Sequence, residues 1–402
     1  MKFSIYAGVL YTGEQVLVDQ ILIIENNRIH SFRNANISER RDSLNKNTGK
    51  VRVNDDLSLN SGMPGQQGVD FDASLLIVAP AFIDLQVYGA GGKLFNNTQD
   101  LETLEAIHTH NLAGGTASYQ VTIPTSSVPV IFKAIDVVRE ALAKKMPGLL
   151  GLHLEGPFIN AERRGAHLAE YVLDPNTDEF EHIISYGKGV VKMMTIAPEF
   201  FNPELISRLL AAGIICSAGH SNATYEQATL GFNSGITATT HLYNAMSQLG
   251  SRAPGLTGAA MNHNTVNASI IADGIHCCFQ SLEIAHKVMG KRLFLITDSV
   301  TASTDGPYKF FAAENSYVTE TGILSGSALT MLGAVKNCVN EGKINIEDAL
   351  SMASTIPANL MKLSDIGRIK AGALANLVVL DKDLQLKQLF IEGVVQNANQ
   401  KF

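Results

Sequence analysis

Glu155, His220, His241 and Asp298 carry the chemistry that the sequence suggests first. Each stands just past a short apolar run, at residues 149–154, 213–217, 236–240 and 293–297. A glutamate with two histidines is a ligand set of hydrolytic zinc centres, which keep one coordination position open for water. An aspartate outside that set is free to act as base and then as acid. Two other runs lead into polar ends: Asp84-Leu85-Gln86-Val87-Tyr88 and Asp273-Gly274-Ile275-His276. A single histidine at a strand end is more often a hydrogen-bonding residue than a ligand. Three ligand-type residues and a carboxylate at four separate run ends outweigh that reading. His108-Thr109-His110 has the spacing of a metal motif, but it closes a stretch of helical period, where the two side chains diverge. His153 shares a strand face with Glu155 and is expected one layer below the site.

Separate run ends meet only if the runs are neighbouring strands. Apolar runs at 76–82, 117–121, 149–154, 190–196, 213–217, 236–240, 268–272 and 293–297 alternate with stretches of helical period. Among the latter are 101–112, 128–143, 203–212 and 282–289. Eight strands alternating with helices predict an α/β fold, a (β/α)8 TIM-like barrel with its site at the carboxyl ends of the strands. Both chain ends read as β: 6–10, 16–24 and 28–32 at one, 374–380, 388–391 and 394–396 at the other. They are expected to build one small β-sandwich domain from residues 1–75 and 373–402, with the barrel at 76–372 inserted between them. Residues 34–67 are polar and read as a long loop.

Composition narrows the partners. The chain has 402 residues, 46% of them hydrophobic, and a formal net charge of −7 without a long basic run, which argues against nucleic acid. An acidic protein that takes an anionic ligand needs a few well-placed cations or backbone amides. No apolar run approaches the roughly 20 residues that span a bilayer, and the first residues lack a signal peptide's apolar core. Cys216, Cys277, Cys278 and Cys338 have no zinc-finger spacing and read as reduced thiols in the cytoplasm.

The motifs also form an ordered set. Gly151-Leu152-His153-Leu154-Glu155-Gly156-Pro157-Phe158, Gly165-Ala166-His167, Ala218-Gly219-His220-Ser221, His241-Leu242-Tyr243-Asn244-Ala245-Met246, Ala272-Asp273-Gly274-Ile275-His276, Thr297-Asp298 and Leu324-Ser325-Gly326 follow one another. Over about residues 80–380 the chain resembles the N-acetylglucosamine-6-phosphate deacetylases of the amidohydrolase superfamily. The resemblance implies Glu155, His220 and His241 as metal ligands and Asp298 as the acid/base. It implies that His167 helps to polarise the acetyl carbonyl. It puts the sugar phosphate against Asn244, Ala245, Arg252 and His276, with some contacts crossing a homodimer interface. Ala166, the Asp273-Gly274-Ile275 stretch and Leu324-Ser325-Gly326 fall to substrate binding. The implied reaction converts N-acetyl-D-glucosamine 6-phosphate to D-glucosamine 6-phosphate and acetate in amino-sugar catabolism.

Many amidohydrolases end their first strand in His-x-His, which holds a second metal; here those positions are Gln86 and Tyr88. Gln is a poor zinc ligand and Tyr a rare one, so one divalent metal per subunit is expected. Zinc fits the ligands, and iron, cobalt or manganese would also bind them. Two rival functions remain at this point: another amidohydrolase cleaving a cyclic or N-acyl amide, and a catalytically dead barrel that only binds a sugar phosphate.

Overall fold

The computed structural model describes residues 2–36, 39 and 71–396. The polar stretch expected at 34–67 lies, apart from residues 34–36 and 39, outside the described residues. Two compact units emerge, one from Met1–Phe82 with Leu363–Phe402 and the other from Ile83–Lys362.

The larger unit is built around eight parallel strands, each hydrogen-bonded to the next in chain order. They run Phe82–Val87, Thr116–Ile123, Leu149–Glu155, Val191–Ile196, Ile215–Ala218, Ala238–Thr239, Asn267–Ile271 and Leu293–Ile296. Past the end of the eighth strand, Val87 and Ser299 form a parallel bridge to the first. The Asp298 amide donates to the Gln86 carbonyl at 3.0 Å, and that of Tyr88 to Ser299 at 2.9 Å. These bonds close the (β/α)8 barrel at the level of the polar run ends.

Helices lie where the apolar period put them. Val128–Ala143 buries Ile131, Ala134, Ile135, Val138 and Ala141, the stripe that a 3.6-residue period lays against a sheet. Asp100 caps Leu101–Ala113 by accepting the Thr103 amide, and Asn202 caps Pro203–Ala211 through the Leu205 amide. The His108 ring, within the first of these helices, stacks on Tyr119 with centroids 6.0 Å apart.

One strand differs from the sequence reading. The run at 76–82 belongs to Phe71–Pro80, which pairs with Lys2–Tyr11 and Leu377–Leu380 in the other unit. The first barrel strand is the following segment, Phe82–Val87, and all six of its residues are buried. The apolar character continues through the junction, so hydropathy offers no break there. Pro80, which has no amide hydrogen to donate, ends the earlier strand.

In the smaller unit both chain ends join one seven-stranded sheet. Its order is Val394–Gln396, Leu386–Ile391, Leu377–Leu380, Phe71–Pro80, Lys2–Tyr11, Val16–Glu25 and Arg28–Asn34. Ile5, Leu10, Leu22, Ile24, Val78, Leu377 and Phe390 form its buried core.

Candidate active site

The barrel strands bring Glu155, His220, His241 and Asp298 together around a cavity of about 310 Å³. Glu155 is the last residue of the third strand. His220, His241 and Asp298 follow the fifth, sixth and eighth strands in left-handed backbone, at φ 47°, 35° and 54°. Such conformations cost about 1–3 kcal/mol each and concentrate at functional sites. Here they turn each chain off its strand and aim the side chain inward.

Glu155 is the hub. Its Oε1 lies 3.2 Å from His220 Nε2 and 2.9 Å from His241 Nε2, and the two imidazole nitrogens are 3.0 Å apart. Its Oε2 accepts the Tyr88 hydroxyl and, at 3.0 Å, His167 Nε2. Gln86 Nε2 reaches Glu155 Oε1 at 3.0 Å and Asp298 Oδ1 at 2.7 Å, linking the two carboxylates. Burial opposes charge on Glu155, but His220 and His167 hold its carboxyl well below the usual range. Burial and the Glu155 carboxylate push Asp298 up to about 6. The two acids thus differ in proton affinity, a separation by which neighbouring acids take different roles.

The tautomers follow from outer partners. The Thr125 amide donates to His167 Nδ1 at 3.2 Å, so His167 Nε2 carries the hydrogen toward Glu155. His220 Nδ1 lies 2.9 Å from the Arg163 carbonyl and donates to it, which leaves its Nε2 lone pair facing Glu155 and His241. Burial lowers the proton affinity of His220. A lone pair facing a carboxylate oxygen and another imidazole, all buried, is an arrangement that a cation stabilises. Glu155, His167 and His220 each place a donor atom within 4.8 Å of the others; His167 Nε2 carries a hydrogen, and His241 Nε2, 2.9 Å from Glu155 Oε1 and 3.0 Å from His220 Nε2, offers the third lone pair. The donor set therefore fits a metal.

The other expected residues divide. Ala166, His167, Asn244, Ala245, His276, Leu324, Ser325 and Gly326 line the same cavity, as does Tyr88. Leu324-Ser325-Gly326 is a strand, Leu324–Ser327, of a small three-stranded sheet. Asp273, Gly274 and Ile275 do not line the cavity; Asp273 instead holds His276, its Oδ2 2.6 Å from Nδ1. Arg252 is exposed and does not line the cavity of its own chain. His153 sits below the site as expected, its Nε2 2.8 Å from Thr195 Oγ1 and its Nδ1 3.2 Å from the Leu85 carbonyl.

Residues that the motifs did not flag also line the cavity: Arg163, Tyr308 and Phe310. The Tyr308 hydroxyl donates to the Thr125 carbonyl at 2.6 Å and accepts the Leu168 amide at 3.3 Å, tying together the segments on either side of His167. Nothing in the local pattern around Tyr308 sets it apart from an ordinary packed aromatic. Arg163 had one signal, its place four residues before His167 in an otherwise acidic protein.

The sequence profile of the Amidohydrolase family matches residues 77–400. The chain belongs to this family. Among curated amidohydrolases it is 32% identical to the N-acetylglucosamine-6-phosphate deacetylase of Haemophilus influenzae (strain ATCC 51907 / DSM 11121 / KW20 / Rd), over 98% of this chain and 99% of that protein. It is 35% identical to the N-acetylgalactosamine-6-phosphate deacetylase of Shewanella sp. (strain ANA-3), over 78% and 81%. A solved N-acetylglucosamine-6-phosphate deacetylase from Pasteurella multocida superposes with a TM-score of 0.86 at 29% identity, covering 98% of this chain and all of that one. As an amidohydrolase barrel, the chain carries its polar constellation where the fold places catalysis.

Proposed function

We propose that this amidohydrolase cleaves the acetamide of N-acetyl-D-glucosamine 6-phosphate, giving D-glucosamine 6-phosphate and acetate. The observation that carries the reading is the constellation at the strand ends: Glu155, His220 and His241 within hydrogen-bond distance of one another, with Asp298 joined to Glu155 through Gln86. The deacetylase relatives supply the substrate class.

Glu155, His220 and His241 would hold one divalent ion, for which zinc suits the donor set. When bound, such an ion supplies Lewis acidity at the amide and makes water nucleophilic near neutral pH. Asp298 takes the proton of the attacking water and returns it to the leaving nitrogen. Gln86 Nε2 holds the Asp298 carboxylate by a bond at 2.7 Å, so the base is oriented before substrate arrives. His167 Nε2–H is a fixed donor at the cavity and can turn to the acetyl oxygen as negative charge develops there. Tyr88 and Gln86 occupy the space of the missing His-x-His pair and satisfy the Glu155 and Asp298 oxygens, which supports one metal per subunit. His276, Asn244 and Ala245 receive the phosphate. Arg252 completes that site from the partner subunit of a homodimer, consistent with its exposure in its own chain. Four free cysteines fit a reducing, cytoplasmic setting, and no helix among the described residues is long and apolar enough to cross a membrane.

The relative that acts on N-acetylgalactosamine 6-phosphate makes the C4 epimer the second substrate to assay. Acetate release from both phosphorylated sugars, and from N-acetylglucosamine without phosphate, tests the reading. We expect the glucosamine derivative to be turned over with the highest kcat/KM. A preference for the galactosamine derivative would reassign the sugar, and acetate from none of them would overturn the deacetylase reading.

A further inference from the structure

Asp273 begins the polar stretch after the seventh barrel strand and does not line the cavity, yet its side chain is only 4% exposed. Every hydrogen bond that the structure gives it is directed at the segment carrying His276. Its Oδ1 accepts the Ile275 amide at 2.9 Å and the His276 amide at 2.8 Å. Its Oδ2 lies 2.6 Å from His276 Nδ1. The carboxylate thus fixes both the turn and the ring. Burial opposes its charge, but the bond and the charge of His276 keep the carboxyl below its ordinary range.

With Nδ1–H given to Asp273, a neutral His276 would present a bare Nε2 lone pair to the cavity. A lone pair repels a phosphate oxygen; the same nitrogen with a hydrogen attracts it. A phosphate oxygen met at Nε2 therefore calls for a ring that donates from both nitrogens, Nδ1–H to the Asp273 carboxylate and Nε2–H to the ligand. Asp298 lines the same cavity, and the His276 charge lowers the proton affinity of Asp298.

We infer that Asp273 is a positioning residue for the substrate's anion: it makes His276 a cationic donor and aims it, without touching the ligand itself. This rests on the proposed reading only in taking His276 to meet the phosphate. It adds a second positive group to a cavity that Arg163 also lines and that Arg252 of the same chain does not.

Asp273→Asn is the discriminating variant. The amide oxygen can still accept the Ile275 and His276 amides, so the turn survives. The amide nitrogen now donates to Nδ1, which leaves a neutral ring with a hydrogen on Nε2. The hydrogen bond to phosphate persists but its charge assistance goes, and charge-assisted bonds are about twice as strong as neutral ones. KM for N-acetylglucosamine 6-phosphate should rise roughly 5–50-fold, with kcat changed much less. The ratio of kcat/KM between phosphorylated and unphosphorylated sugar should fall by about the same factor. In the His276→Ala background Asp273→Asn should add nothing, because the group it acts through is gone. Calorimetry with glucose 6-phosphate, which has no acetamide, reads the same contact apart from catalysis. Its affinity should weaken in Asp273→Asn even if the wild type releases no acetate, an outcome that would sink the deacetylase reading and leave this one standing. Equal losses on phosphorylated and unphosphorylated sugar, full additivity with His276→Ala, or unchanged glucose 6-phosphate affinity would each overturn the inference.

Discussion

At the scale of single residues, the site works by giving chemically similar groups unlike surroundings. Glu155 is surrounded by donors and is held ionised; Asp298 is buried beside that negative charge and rises to about 6. A base must be ionised to accept a proton. The value of about 6 holds without metal; a bound cation lowers the proton affinity of Asp298, so activity carried by Asp298 should fall on the acid side at a pH below about 6 and level off above it. Asp298→Asn should keep its metal while kcat falls at least about 100-fold, the ordinary scale of general acid–base catalysis. A variant that retains near wild-type turnover at pH 8 would remove Asp298 from the proton-transfer role. Stability runs the other way. The folded value lies above the unfolded one of about 3.9. The contribution of this group is thus full below about pH 4 and lost as pH rises through about 6. In metal-free protein at pH 8, Asp298→Asn should unfold at an equal or higher urea concentration than wild type. The four principal residues were legible in the sequence because each interrupts an apolar run. Tyr308 and the indirect part played by Asp273 were not, because their meaning lies in hydrogen bonds between segments far apart in the chain.

At the scale of elements, the strands set where the site is and the segments beyond them set its shape. The strand Leu324–Ser327 borders the cavity, and Gly326 shows why the approach is so close. Its φ is +147°, and a Cβ there would lie 2.7 Å from Val300 Cγ1 and 2.9 Å from the Asp298 carbonyl oxygen. Gly326→Ala must move either this strand or the segment that carries Asp298, the proposed base. It should lower kcat by about tenfold or more, since small misplacements of reacting groups have effects of that order. Gly322, at φ +80° with nothing within 4 Å of a Cβ, is the control. Gly322→Ala should cost only about 1 kcal/mol of stability and leave kcat near wild type. Equal activity in the two variants would show that the close packing at Gly326 does not position Asp298. Helices such as Val128–Ala143 were readable because one apolar stripe declares them. The first barrel strand was misplaced because Phe71–Pro80 and Phe82–Val87 are both apolar and nearly continuous. Only pairing partners, the other unit's sheet for one and the barrel for the other, distinguish them.

At the scale of the whole molecule, one cavity gathers residues from seven of the eight strand ends, and Gln86 and Tyr88 occupy the first of these where a second metal would otherwise bind. The central claim is that Glu155, His220 and His241 form one hydrolytic metal centre. The most direct measurement strips the protein with a chelator, returns zinc in steps, and follows bound metal and acetate release from N-acetylglucosamine 6-phosphate together. The account predicts that acetate release is lost on chelation, rises in proportion to zinc, and levels off near one equivalent per chain. Turnover that survives complete removal of metal, or that rises to a plateau only at two equivalents, would contradict it.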